Sequence, residues 1–365
     1  MADPTIDTGP AIHITNAQAG AATFSGSESR SYNYFTPKGR HASVYEDVTV
    51  DVQPDPKRYL LQGWLYAFAD GTAGYDESWT KMKSSDWHVF RDPNEQWHRT
   101  IYVRQANTER QIQQALAIAN SQNVYETWDT SWVKCVETHV SAWMHPEYGL
   151  GMQVFTPAQR DAPTNMINNA ICVNAMDKLR FAQDLALYNL NLSEHIPNFN
   201  GSEHKQVWLH DPVWFGVREN VERLAATPDW AEATFATNVI FEPLCGELFR
   251  SQFVMQFAAP HGDFVTPTLF GIAEYDYEHN LAYTKDLFEM LIDDDEFGAE
   301  NKRIMGEWLT HWVPYSVAAA RQLQPVWSQP KQKILRFEDA YDRAKQRFES
   351  ILQKLGLELP KEVEL

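Results

Sequence analysis

Cysteine is scarce in this sequence. Only three of the 365 residues are cysteines, namely Cys135, Cys172 and Cys245. Their odd number and wide spacing exclude a disulfide framework and a cysteine-based zinc site. We therefore expect three small, buried, reduced side chains and a location in the reducing cytoplasm.

Positive charge and long apolar runs are also lacking. Lys and Arg number 31 against 49 Asp and Glu, which gives a formal net charge of -18. Because binding to phosphates needs clustered Lys and Arg, this balance excludes a nucleic-acid partner. No stretch approaches the roughly 20 apolar residues of a membrane span. Residues 1–30 lack the basic start and apolar run of a signal peptide, so we expect no membrane partner.

The motifs of several enzyme classes are missing too. The sequence has no glycine-rich phosphate loop, nucleophile elbow or Cys-x-x-Cys pair, which excludes nucleotide, hydrolase and redox-cysteine interpretations. Aromatic residues, in contrast, make up 13% of the chain and include 13 Trp. Large flat side chains favour cores and subunit interfaces alike, and the sequence leaves both interpretations open.

The chain divides into an irregular first part and a helical second part. Residues 1–30 are rich in Ala, Gly, Ser and Thr, and we predict a mobile arm there. Residues 31–95 combine turn-forming residues with aromatics and show no helical period; the aromatics include Tyr34, Trp64, Tyr66 and Trp87. Such a segment more often wraps a neighbour than packs on itself. We predict an extended N-terminal arm over residues 1–95, covering a partner subunit, and a helical domain over residues 96–365.

Apolar residues recur with a helical period from residue 96 onward. Residues 101–120 contain neither Gly nor Pro, and stripes with steps of three and four residues follow; they lie within 132–154, 167–188, 238–257, 265–290 and 337–355. Three stripes contain a charged residue, namely Glu147, Lys178 and Asp276. Because an unpaired buried charge costs several kcal/mol, each should have a partner or a metal. We expect Lys178 beside at least one of Glu147, Glu242 and Asp276.

These charged positions resemble those of ferritin-like di-iron proteins, which place a Glu on each of two helices and Glu-x-x-His on each of two others. Residues 176–183 (Met-Asp-Lys-Leu-Arg-Phe-Ala-Gln) resemble the Asp-Glu-x-Arg-His-Ala-Gln segment of catalytic di-iron hydroxylase subunits. Residues 273–279 resemble the second such segment. The six ligand positions then fall on Glu147, Lys178, Phe181, Glu242, Asp276 and His279.

Two of these positions depart from the ligand pattern. A protonated Lys cannot bind iron and Phe has no donor atom, so Lys178 and Phe181 break the site. The β subunits of the family are degenerate copies of the catalytic α subunits, which fits this loss. Further stretches resemble the small subunits of propane- and acetone-type enzymes; they lie at 45–48, 53–56, 61–64, 90–93 and 241–250. Over residues 31–350 the chain resembles the β hydroxylase subunit of soluble bacterial multicomponent di-iron monooxygenases.

The resemblance implies a mostly α, ferritin-like helical bundle with no catalytic, cofactor-binding or metal-binding residue of its own. It further implies a catalytic α subunit that holds the di-iron centre, in an α2β2 complex with or without a γ subunit. An effector protein and a reductase with NADH, flavin and an iron–sulfur centre would complete the system. The complex would insert one oxygen atom of O2 into a small hydrocarbon or ketone.

Alternatives stay open at this point. The chain could be a self-standing ferritin-like oxygenase or oxidase that uses Glu147, Glu242, Asp276 and His279. Asp276 and His279 could bind a stray metal or form a hydrogen-bonded pair inside the bundle. A literal Glu-x-x-His also occurs at residues 95–98, at the edge of the helical region, where a chance match is the simpler interpretation.

Overall fold

The computed structural model describes residues 37–39, 42–50 and 77–365. Three of the aromatics expected to contact a partner, Tyr34, Trp64 and Tyr66, lie outside these residues. All regular secondary structure in the described part of the chain is helical, with no strand. The prediction of a mostly α protein is therefore confirmed.

The helices are numbered here in chain order. They are α1 (His98–Ser121), α2 (130–161), α3 (Asn165–His195), α4 (Glu203–His210), α5 (Phe215–Ala225), α6 (230–257), α7 (Thr266–Ile292), α8 (Gly298–Gln322) and α9 (Phe337–Lys354). Each predicted stripe falls on one of them. Short 3-10 turns connect several helices; they are Glu77–Trp79, Trp87–Val89, Val124–Thr127, Pro212–Trp214, Ala259–His261 and Gln324–Ser328.

Polar side chains fix where several helices begin. Asp129, Thr164 and Asp229 precede α2, α3 and α6, and each accepts a hydrogen bond from a backbone N–H in the first turn. Such caps satisfy N–H groups that have no partner within the helix. Because α2, α3 and α6 carry the resembled ligand positions 147, 178 and 242, these caps also fix the register of the candidate site.

The helices surround one apolar core. Helix α3 packs against α2 and α7, and α6 packs against α8 and α9. Four Trp side chains are almost completely buried in this core: Trp132, Trp143, Trp214 and Trp230. Much of the aromatic content therefore serves the chain's own core, the first of the two interpretations.

Helices α2 and α6 contain wide π-helical turns, at Val136–Val140 and Leu150–Phe155 in α2 and at Ala236–Gly246 and Leu248–Val254 in α6. A π turn holds an extra residue and often marks a functional position. In this chain the π turns flank Glu147 and include Glu242.

The segment 77–95 packs on the helices of its own chain. The Trp87 side chain is only 4% exposed, and its ring lies edge-on to that of Trp230 with centroids 5.9 Å apart. Asn301, in α8, accepts a hydrogen bond from Lys83 N at 3.0 Å and donates one to Lys83 O at 2.7 Å. The expectation that Trp87 contacts another chain is therefore wrong. Single side chains of this turn-rich segment fill gaps between helices, which a search for helical periods does not detect.

Candidate functional site

Three of the resembled ligand positions meet inside the bundle. Glu147 from α2, Lys178 from α3 and Glu242 from α6 are each at least 95% buried. Lys178 Nζ lies 3.0 Å from Glu147 Oε2 and 2.5 Å from Glu242 Oε1. The expected partner of Lys178 is thus present, and two carboxylates share its ammonium group.

A second cation, Arg250, completes the cluster. Its Nη1 lies 3.1 Å from Glu147 Oε1, and its Nη2 lies 2.6 Å from Glu242 Oε2. Each carboxylate therefore bridges the ammonium and the guanidinium, which closes a ring of two anions and two cations. We call these four residues the charge cluster. Arg250 Nε extends it outward to Glu274 Oε1 at 2.5 Å.

The spacing between Glu242 and Arg250 is a sequence signal for the second cation. Arg250 follows Glu242 by eight residues on the same helix. In an α-helix that spacing is somewhat more than two turns, but here both residues lie in π-helical segments. Two steps of four residues join positions 242 and 250, which is a spacing of one helical face, so the sequence itself points to Arg250 as a partner of Glu242.

Aromatic side chains surround the charge cluster. Trp143 Nε1 donates a hydrogen bond to Glu147 Oε1 at 2.7 Å. The Arg250 guanidinium carbon lies 5.8 Å from the Trp143 ring centroid and 5.7 Å from that of Tyr277. These rings exclude water and attract the cation through their π faces.

Opposite charges outweigh burial in the charge cluster. Burial alone favours the neutral amine, yet Glu147 and Glu242 raise the pKa of Lys178 above its ordinary value. Burial alone favours the neutral acid at Glu242, but Arg250 and Lys178 together leave the pKa of its carboxyl below the ordinary value. Lys178 and Glu242 therefore stay charged at neutral pH.

Gly246 leaves the space that the charge cluster needs. A Cβ atom at this position would lie 2.8 Å from Arg250 Nη1 and still closer to a carboxylate oxygen of Glu242. Both are contacts that real Cβ atoms do not make. Glycine is thus required between the two charged residues of α6.

Phe181, the second departure from the ligand pattern, is part of the core. Its side chain is 4% exposed and packs edge-on against Phe270 with centroids 5.1 Å apart. The ring occupies the position of a ligand His with a group that offers no donor atom.

Asp276 belongs to a different cluster. Arg104 of α1 bonds Asp276 Oδ1 through Nη1 and Asp177 Oδ1 through Nη2, the second at 2.8 Å. Burial raises the pKa of Asp177 to about 7, and the nearby Asp276 carboxylate adds to this effect. The expectation of an Asp276–His279 hydrogen bond is wrong, because Asp276 instead pairs with Arg104, a residue more than 170 positions away that no sequence pattern links to it.

His279 lies at the edge of the protein. It is half-buried, its ring contacts that of Tyr275 at 4.6 Å, and its Nδ1 has no hydrogen-bond partner among the described residues. Burial and the nearby Arg104 lower the pKa of its imidazole. The Glu95–His98 pair is exposed, and α1 begins only at His98, so the two do not share a helical face.

This donor set does not fit a di-iron centre. Both carboxylates that could bridge two metal ions already form ion pairs with Lys178 and Arg250. An ammonium and a guanidinium occupy the space between Glu147 and Glu242, and bringing iron there would require expelling both cations. No group of three or more His, Cys, Asp or Glu in the described part of the chain is arranged to hold a metal ion.

Comparisons with known proteins agree with this geometry. Residues 64–295 match the family model described as methane/phenol/alkene hydroxylase. The chain belongs to this hydroxylase family. It is 51% identical over 355 residues to the small subunit of the hydroxylase component of propane 2-monooxygenase from Rhodococcus jostii, covering 97% of this chain and 96% of that protein. The Gordonia protein of the same name is 49% identical with the same coverage.

More distant members of the hydroxylase family share the fold. The beta chain of methane monooxygenase component A from Methylosinus trichosporium is 27% identical over 80% of this chain and 76% of its own length. A chain of the phenol hydroxylase from a Pseudomonas species superposes with a TM-score of 0.75 at 18% identity, covering 92% of this chain and 99% of that one. The predicted ferritin-like bundle and small hydroxylase subunit are confirmed. The alternative of a self-standing oxygenase does not fit these relatives, which are a small subunit and a beta chain of larger enzymes. No helix in the described residues is long and apolar enough to cross a membrane.

Replacing Lys178 tests the charge cluster. Lys178→Met leaves two buried carboxylates facing a single cation, and we expect a loss of about 3–5 kcal/mol in the free energy of unfolding. Denaturant titration measures it. The matched control is Lys81→Met, since the Lys81 side chain is 64% exposed and its Glu232 partner is 3.8 Å away. Adding Glu147→Gln to Lys178→Met should restore part of the loss; equal losses in Lys178→Met and the control would contradict the assignment.

Glu247, which pairs with Arg347, makes the free energy of unfolding depend on pH. Burial and the adjacent Glu274 raise the pKa of its carboxyl to about 8, although Arg347 Nε lies 3.2 Å away. Because the folded state holds this proton more tightly than the unfolded state, the stability it contributes is lost as pH rises through about 8. We expect Glu247→Gln to flatten the decline in unfolding free energy between about pH 5 and about pH 8. Identical pH slopes for the two proteins would contradict this.

Proposed function

We propose that this chain is a non-catalytic structural and interaction subunit of the hydroxylase component of a monooxygenase. The charge cluster is the observation that carries the proposal, because it fills the place of a metal centre with side chains. The resembled ligand positions, Glu147, Lys178, Phe181, Glu242, Asp276 and His279, are in this view the remains of a lost site. The chain contributes no catalytic or metal-binding residue.

The relatives suggest what the complex oxidises. Two proteins about half identical to this chain over nearly its full length are named as parts of propane 2-monooxygenase. We propose a small, propane-like hydrocarbon as substrate, with a small ketone as the next candidate. O2 supplies the inserted oxygen atom and NADH supplies the electrons.

The proposed partners follow from the loss of the di-iron ligands in this chain. The di-iron centre belongs to a catalytic α subunit, which this chain holds in an α2β2 complex, with a γ subunit as a possible addition. A reductase with flavin and an iron–sulfur centre and an effector protein complete the system. The three unpaired cysteines support a cytoplasmic location. An N-terminal arm over residues 1–95 as a wrapping element stays a prediction for the residues before 77 that the structure does not describe.

Activity per assembled complex separates a structural from a catalytic role. In the double variant Lys178→Met/Glu242→Gln one cation and one anion are removed together, so the cluster stays balanced. Because no group in the charge cluster touches the reaction, we expect hydroxylation per assembled complex within about twofold of the wild type. The complex is purified through a tag on this chain, and activity is divided by the recovered catalytic chain.

A loss of 100-fold or more with assembly intact would show that the cluster takes part in the chemistry. Failure of the wild-type chain to purify with a larger iron-containing chain would contradict the proposed function as a whole.

A further inference from the structure

A groove runs between α1 and α7 on the outside of the bundle. Its volume is about 1090 Å³. Two facing rows of helical side chains form its walls: Thr100, Val103, Asn107 and Gln111 on α1, and Thr268, Ile272, Tyr275 and His279 on α7. The α1 row from residue 100 to residue 111 spans about 16 Å, or three helical turns. These dimensions fit an α-helix lying between the two rows.

Helix α1 has little packing within its own chain. Only three of its 24 residues are buried, namely Ile101, Ile112 and Ala119. A helix in a folded protein gains most of its stability from tertiary packing of one face. The other side of α1 exposes Tyr102 and Val103, at 57% and 55%. This helix is therefore incompletely covered by the described part of its own chain.

The groove also differs in charge from the rest of the protein. The chain has a net charge of -18, yet Arg99 and Arg104 line the groove and none of its described lining residues is Asp or Glu. Arg104 is held from below by Asp177 and Asp276, while Arg99 is exposed. The walls thus offer apolar surface and positive charge, which is complementary to a segment with apolar and acidic residues.

We propose that this groove receives an amphipathic helix of the catalytic chain. The apolar side of that helix lies against Val103, Ile272 and Tyr275, and a carboxylate on it faces Arg99. The proposal rests on the proposed function, because it takes a catalytic chain as the partner. It adds the surface and the chemistry by which that chain is recognised.

Two glycines provide a matched test. A Cβ at Gly271, on the groove wall, meets only Met255 Cε at 3.7 Å, and a Cβ at Gly306 in α8 meets nothing within 4 Å. Both positions leave room for a Cβ atom, but only Gly271 lines the groove. With each variant tagged and coexpressed with its catalytic chain, we expect Gly271→Phe to recover at least about 10-fold less partner than Gly306→Phe.

Arg99 provides a second test that leaves the core untouched. Arg99→Glu reverses the charge of the wall and should lower recovery of the catalytic chain several-fold, whereas Arg99→Lys should keep it. The effect should shrink as salt is raised, because the attraction acts between exposed charges. Unchanged recovery with both Gly271→Phe and Arg99→Glu would overturn the proposal.

A photo-crosslinking residue at position 103 identifies the occupant directly. We expect a crosslinked peptide from the catalytic chain. A crosslink to a second copy of this chain, or to its own residues 1–36, would overturn the proposal even if the complex forms. If the wild-type chain recovers no catalytic chain at all, the proposed function fails. If the wild-type chain recovers the catalytic chain and the groove variants recover as much of it, only the groove assignment fails.

Discussion

Two buried carboxylates, Glu147 and Glu242, define the interior of this protein. Each belongs to a different helix, and neither can be buried alone without a cost of several kcal/mol. Lys178 and Arg250 remove that cost together, since every carboxylate oxygen of the pair forms an ion pair with one of the two cations. Helices α2, α3 and α6 are thereby fixed to one another at the centre of the bundle.

Such a cluster specifies an arrangement more than it adds stability. A buried ion pair often contributes no more than well-packed apolar residues of the same volume, whereas removing one partner is costly. The charge cluster therefore holds the register of the three helices against alternatives that would separate its members. Gly246 belongs to the same arrangement, because a side chain at this position would clash with both Glu242 and Arg250. A subunit with this centre can be rigid without a metal ion.

The sequence predicts this centre only in part. Lys178 could be found because it interrupts an apolar stripe, and a charge in that position needs a partner. Arg250 lies eight residues after Glu242, within the spacing of one helical face, but the sequence alone does not show that the two buried carboxylates share a second cation. The resemblance places Asp276 with the other ligand positions. Its partner Arg104 lies on a helix far away in the chain, so no sequence pattern links the two residues. The sequence also predicts a partner contact for Trp87, because the pocket beside Trp230 that holds its ring forms only when the chain folds.

The central claim is that paired side chains, and not iron, occupy the middle of this subunit. Anomalous diffraction at the iron edge from crystals of the assembled hydroxylase tests it most directly. The account predicts iron peaks in the catalytic chain and none between Glu147 and Glu242. A pair of iron peaks between those two residues, with Lys178 and Arg250 displaced, would contradict it.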